Sequence, residues 1–154
     1  MTESNRDDAH WLLRLRAEEW IDAARRELTL ADAPGAHRRR VITHLRRAAG
    51  MGLNGYLVTK YDEASMSLDQ LARVWGRSYM DHLRAVSGDA PLFDLPTSAR
   101  GRARALRSLQ FQASAGGLVS IRNTAGDDLD AGRGAARFLV DACADRTLRG
   151  RHRE

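Results

Sequence analysis

The 154-residue chain is 43% hydrophobic and 29% charged and carries a net charge of +5, which fits one globular domain with its own core. Aromatic residues make up only 6% and Val and Ile are scarce, which disfavours a β-sheet, whereas abundant Ala, Leu and Arg favour helices. The single cysteine, Cys143, excludes an internal disulfide, and no signal-like or membrane-spanning apolar run occurs, so we expect a cytoplasmic protein.

Helical periodicity divides the chain into five predicted helices. The first spans about residues 8–30 and leaves Trp11 and Leu15 off its main apolar stripe, where they could meet a partner. The second spans residues 36–60 and has a divided surface, because apolar side chains occupy one side and two i,i+7 pairs of arginines the other. An S-x-x-Q capping box opens the third, which runs over residues 67–88.

The two predicted helices of the C-terminal part are interrupted by glycines. The fourth follows a proline-containing loop and spans residues 98–115, with a bend at 116–117 and a continuation to Ala125. The glycine- and acid-rich run 126–134 is expected to precede a short fifth helix, which places Cys143 on its inner side as an inert apolar residue.

These elements predict an all-α fold, an antiparallel bundle of four to five helices in up-and-down order. The bundle forms a single domain over residues 1–154, with its core at about 8–146 and a frayed tail at 147–154. Small residues on the inner faces, such as Gly52, would allow the helices to approach one another closely.

Positive charge is concentrated in two segments that contain no acid. Residues 34–60 hold six basic side chains and residues 96–126 hold five, whereas residues 1–33 and 61–95 each sum to −3. The basic helices could complement the acidic ones within a bundle or between subunits, or they could bind an anionic partner such as nucleic acid. Of the 25 basic residues only Lys60 is a lysine, a skew that a GC-rich genome also produces.

Arginines on the second and fourth predicted helices are the candidate nucleic-acid contacts, because guanidinium groups bind phosphates and stack on bases. These residues are Arg39, Arg40, Arg46, Arg47, Arg100, Arg104 and Arg107. Phe111 falls on the same face of the fourth helix as its arginines and could stack on a base. Alternatively, Phe111 anchors a protein interface and the arginines pair with acids of the first and third helices.

The spacing of residues supports neither a metal site nor a nucleophilic centre. None of the five histidines forms an H-x-x-x-H or E-x-x-H pair. His37 and His44 share a helix side but lie about 10.5 Å apart along its axis, too far to share an ion. No P-loop or G-x-G-x-x-G is found, so we expect no metal and no cofactor.

Three short patterns follow one another along the chain. The first helix contains A-R-R-E-L, the second contains H-L-x-x-A-A-x-x-x-L-x-x-x-L from His44 to Leu57, and the third contains D-H-L-x-x-V from Asp81 to Val86. Together they resemble the HEPN superfamily (higher eukaryotes and prokaryotes nucleotide-binding domain) over about residues 10–145. The resemblance implies a four- or five-helix up-and-down bundle, usually a homodimer.

The resemblance also implies two classes of function. Many HEPN members are metal-independent RNases, often toxins paired with a nucleotidyltransferase antitoxin, and others are non-catalytic binding subunits. The RNases carry R-x(4–6)-H near the end of the chain. Here an Arg-Asn pair begins at Arg122, but Asp127 and Asp128 stand in place of the histidine, and a carboxylate would repel the phosphate. His44, which also has the right spacing from Arg39, is the best remaining candidate.

The expected function is therefore non-catalytic binding or regulation by a homodimer, acting on RNA, a nucleotide or a partner protein. A toxin–antitoxin system with a nucleotidyltransferase-like partner is the setting that the resemblance implies. Two alternatives stay open. One is a metal-independent RNase that uses Arg122 or Arg39 with His44, and the other is a helical protein–protein module anchored by Trp11, Leu15 and Phe111.

Overall fold

The computed structural model describes residues 11–74, 78–88, 93–112 and 124–151, without the side chains of 72–74, 124–127 and 151. The described residues form a short 3-10 helix, Trp11–Arg14, and six α-helices, with no strand among them. The helices are α1 (Ala17–Ala31), α2 (Arg38–Asp62), α3 (Leu68–Val74), α4 (Tyr79–Ser87), α5 (Ala99–Ser108) and α6 (Thr124–Arg151). The all-α prediction is confirmed for this part of the chain. None of these helices is both long and apolar enough to cross a membrane.

Helix α2 is the central element of the fold. It packs along α1 and α6, which also contact each other, while α4 and α5 pack together and rest on α2 and α6 respectively. Every residue of α2 from Gly52 to Thr59 is buried, so this half of the helix lies in the core on all sides. Its glycines make this possible, because a Cβ on Gly52 would lie 3.3 Å from the Cα of Val140.

The predicted third helix is wrong as a single element. It is divided into α3 and α4, because Ser78 has an extended backbone and caps α4. The Ser78 hydroxyl accepts a hydrogen bond from the Asp81 amide, and the Asp81 carboxylate accepts one from the Ser78 amide. Residues 75–77 lie outside the described residues.

The predicted ends of the fourth and fifth helices also need correction. Helix α5 ends at Ser108, seven residues early, because Leu109 is extended and its buried side chain packs over Gly132. The run predicted to precede the fifth helix belongs to α6, in which Gly132 allows close packing where we expected a break. The tail does not fray at 147, since Thr147 is buried with its hydroxyl 3.0 Å from that of Thr59.

A network of charged side chains fixes the loop before α5 to the far end of α2. The Asp94 carboxylate accepts hydrogen bonds from the Tyr56 hydroxyl at 2.6 Å and from Lys60 Nζ and Arg146 Nε at 3.1 Å each. Arg146 also donates two bonds to Glu63, at 2.9 and 2.8 Å. Burial alone would raise the pKa of Asp94, but the bonds from these three donors outweigh it and lower that pKa to about 2.

We expect Asp94 to contribute stability above its unfolded pKa of about 3.9, and this contribution to disappear as the pH falls from about 4 to about 2. Asp94→Asn should therefore be less stable than the parent at neutral pH, with a difference that shrinks at acid pH. Urea unfolding of both proteins at several pH values measures it. A difference that stayed constant from pH 7 to pH 2 would contradict the assignment.

Candidate nucleic-acid interface

An exposed phenylalanine lies beside two arginines of α2, three residues beyond the end of α5. Phe111 keeps 41% of its surface exposed. The guanidinium carbons of Arg39 and Arg46 lie 5.0 and 5.3 Å from the centre of its ring. At these distances a guanidinium is attracted to the electron-rich face of an aromatic ring. The sequence pattern grouped Phe111 with the arginines of the fourth helix, whereas the two arginines in contact with its ring come from α2.

The segment that carries Phe111 is fixed to α2 through its main chain. Arg46 donates hydrogen bonds to the carbonyl of Leu106 at 3.0 Å and to that of Leu109 at 2.7 Å. Arg38 Nε donates to the carbonyl of Gln110 at 2.9 Å. The last carbonyls of a helix have no partner within the helix, so Arg46 caps the C-terminus of α5. Burial lowers the pKa of Arg46 from its ordinary value. Its nitrogens are already engaged, which disfavours the predicted phosphate contact.

Two more of the predicted phosphate ligands bind the end of α4. Arg107 donates to the hydroxyl of Ser87 at 2.7 Å, and Arg104 donates to the carbonyl of the same residue at 3.4 Å. Ser87 is the last residue of α4, so these guanidinium groups also lie at the negative end of a helix dipole. Arg100 lies in the first turn of α5 with its side chain exposed.

Arg47 belongs to a cluster around a buried carboxylate of α1. Glu27, only 7% exposed, forms an ion pair with Arg47 at 3.2 Å, and its other oxygen lies 2.5 Å from Nδ1 of His44. The pairing of Arg47 with an acid of the first helix agrees with the alternative interpretation of the arginines. Tyr79 packs on Gly50 beside this cluster. Burial raises the pKa of Tyr79, Arg47 lowers it and Glu27 raises it.

Glu27 is a residue that sequence reasoning missed. It is the glutamate of the A-R-R-E-L pattern, which assigns no separate role to it. A signal was present, because Glu27 follows Trp20 by seven residues and Ala24 by three and so falls on the apolar stripe of α1. An acid at a core position indicates a buried partner.

The candidate catalytic residues are not brought together. His44 is 9% exposed and its Nδ1 faces Glu27, whereas the guanidinium of Arg39 lies on Phe111. Arg122 lies outside the described residues. The contact with Glu27 engages Nδ1 of His44, so Nε2 is the only nitrogen of that ring that could act on a ligand.

The predicted interface anchors differ in exposure. Trp11 is 38% exposed, and its ring stacks parallel to that of His82 and meets that of Trp20 edge-on. Leu15 is half-buried against the core, while Phe111 lies in the arginine cluster described above. Only Trp11 and Phe111 are therefore placed to anchor a partner.

Neither a cluster of metal-binding side chains nor a reactive thiol occurs in the part of the chain that the structure describes. No three His, Cys, Asp or Glu side chains come close enough there to hold a metal ion. Cys143 is fully buried, and burial raises the pKa of its thiol, so that the reactive thiolate does not form near neutral pH. Comparison with protein-family models, curated proteins and solved structures gives no match. The HEPN resemblance therefore stays a prediction from the sequence.

Proposed function

We propose that this protein is a non-catalytic, HEPN-like helical module that binds RNA at the N-terminal end of α2. The observation that carries the proposal is the exposed Phe111 ring beside the guanidinium groups of Arg39 and Arg46, both on α2. An aromatic ring with cationic neighbours is the combination that nucleic-acid surfaces use.

The charges around this ring support an anionic ligand. Arg39 and Arg40 are exposed, and neither forms an ion pair with a carboxylate in the described ranges. The first turn of α2 contains no acid, and the positive end of its helix dipole lies there. The Asp128 carboxylate lies 3.9 Å from Arg38 at this end, but it pairs with neither Arg39 nor Arg40. Both effects favour phosphate at this end of the bundle.

We expect the protein to bind labelled single-stranded RNA with an affinity that falls steeply with salt. Each of Arg39→Ala and Arg40→Ala should weaken binding and reduce the slope of log K against log salt by about 0.7, the value for one phosphate contact to a single strand. Fluorescence anisotropy at several salt concentrations measures both quantities. The matched control is Arg149→Ala. Arg149 lies in the cleft beside Asp94, at the opposite end of α2. Its substitution should leave the slope unchanged.

Two other outcomes of this titration would replace the proposal. Binding that does not depend on salt, or no binding at low salt, would exclude a phosphate-contacting surface. RNA that is shortened without metal would favour the RNase alternative, and loss of cleavage in a folded His44→Gln variant would assign the activity to His44.

A helical protein–protein module is the second candidate, favoured by the exposure of Trp11 and Phe111. The homodimer expected from the resemblance belongs to this candidate as well as to the first. Light scattering of the parent and of Trp11→Ser and Phe111→Ser would test it. A monomer in all three samples, at every concentration tried, would count against a self-interface at either residue.

A further inference from the structure

We infer that the ligand of this surface is single-stranded and that one of its bases stacks on a platform formed by Phe111 and Arg39, an inference that rests on the proposed function. The proposed function states that RNA binds at this surface, whereas this inference adds the form of the RNA and the recognition of a base face.

Phe111 stays at the surface although apolar side chains next to it are buried. Leu106 and Leu109 are buried in the core, and Phe111 follows Leu109 by only two residues. The carbonyls of Leu109 and Gln110 are bound by Arg46 and Arg38, which anchors the main chain directly before the ring. Single exposed apolar side chains are ordinary on protein surfaces, so the guanidinium groups beside Phe111, together with its exposure, are what point to a ligand.

The platform is already assembled in the free protein. Arg39 contributes a planar, delocalised group 5.0 Å from the ring centre, and a guanidinium plane can itself stack on a base. The main chain directly before the ring is anchored, so little backbone entropy remains to be lost there when a base binds. Lysine in place of Arg39 would keep the charge but not the flat surface.

A stacking platform selects single strands over duplexes. In a double helix the faces of the bases are covered by their neighbours, and only phosphates and base edges reach a protein. In a single strand a base can turn outward, and stacking on an aromatic side chain is then worth about five- to hundredfold in affinity per base. The phosphates on either side would meet the arginines of α2.

The test compares three probes of about 12 nucleotides, a length within the range of simple single-strand binders. They are a labelled single-stranded RNA without self-pairing, the same RNA annealed to its complement, and a strand of equal length made of abasic residues. The proteins are the parent, Phe111→Leu, Phe111→Trp and Arg39→Lys, with Arg149→Lys as the matched control. Thermal unfolding checks that each variant remains folded.

We expect Phe111→Leu to lower the affinity for the single strand about tenfold while leaving affinity for the duplex and the abasic strand unchanged. Phe111→Trp should restore the affinity, Arg39→Lys should resemble Phe111→Leu, and Arg149→Lys should resemble the parent. An unchanged single-strand affinity in Phe111→Leu, with salt-dependent binding intact, would overturn stacking and leave the proposed function standing. No binding of any probe by the parent would overturn both.

Discussion

Gly55→Ala is expected to lower the free energy of unfolding by about 2–3 kcal/mol. A Cβ at this position would lie 2.8 Å from the carbonyl oxygen of Ala17 and within 3.2 Å of the Ile21 side chain. The oxygen belongs to the backbone of α1 and cannot move unless the whole α1–α2 contact widens. This cost exceeds the gain of about 1 kcal/mol that alanine brings to a helix interior. Urea unfolding at neutral pH measures the net change.

The matched control is Gly101→Ala in α5. Gly101 is exposed and a Cβ there would meet no atom within 4 Å, so only the helix propensity changes. We expect this variant to be more stable than the parent by about 0.5–1 kcal/mol. Both substitutions replace glycine with alanine, but they should change the free energy of unfolding in opposite directions. A stabilising Gly55→Ala would show that α1 and α2 are not packed as closely as described.

His44→Ala is expected to cost about 3–5 kcal/mol, because it removes a partner of a buried carboxylate and leaves a cavity. Glu27 would keep only its bond to Arg47, whose side chain is partly exposed to solvent. Thermal and urea unfolding measure the loss. A cost below about 1 kcal/mol would mean that water reaches Glu27 and replaces the imidazole.

A double substitution separates the loss of charge pairing from the loss of packing. Glu27→Met combined with His44→Leu removes both polar groups and fills the space with apolar atoms of similar volume. We expect this double variant to be more stable than His44→Ala, because no unpaired charge remains in the core. The single variants Glu27→Met and His44→Leu complete a double-mutant cycle with it, and strictly additive free energies in that cycle would contradict direct coupling between the two residues.

Periodicity predicted α2 well because its signal is local. The expected range 36–60 differs by two residues at each end from the observed Arg38–Asp62. The ends of the predicted fourth and fifth helices were wrong because they depend on contacts between residues that are distant in sequence. The end of α5 is set where Leu109 turns into the core over Gly132, and no local pattern shows that pairing. A glycine that suggests a helix break in the sequence can instead allow close packing where another part of the chain covers it.

The candidate site was only partly predictable for the same reason. A helical wheel shows which arginines share a face, but it cannot show which helix ends lie beneath them. Arg46 and Arg107 bond to main-chain and hydroxyl oxygens at the ends of neighbouring helices. Arg39 and Phe111 were both candidates, and their contact across 72 residues of sequence comes from the tertiary fold. Glu27 was missed because it lies in a pattern that described spacing alone.

The helix-capping arginines have a consequence for how quickly a polyanion can be captured. Arg46, Arg104 and Arg107 each lie at the C-terminal end of a helix, where the dipole contributes about half a negative charge. Part of their field is cancelled before it extends into solvent. The long-range attraction that accelerates diffusional encounter should therefore be weaker than the net charge of +5 suggests. Exposed arginines that bind no helix end, such as Arg39 and Arg40, would then contribute more to encounter than the capping arginines do.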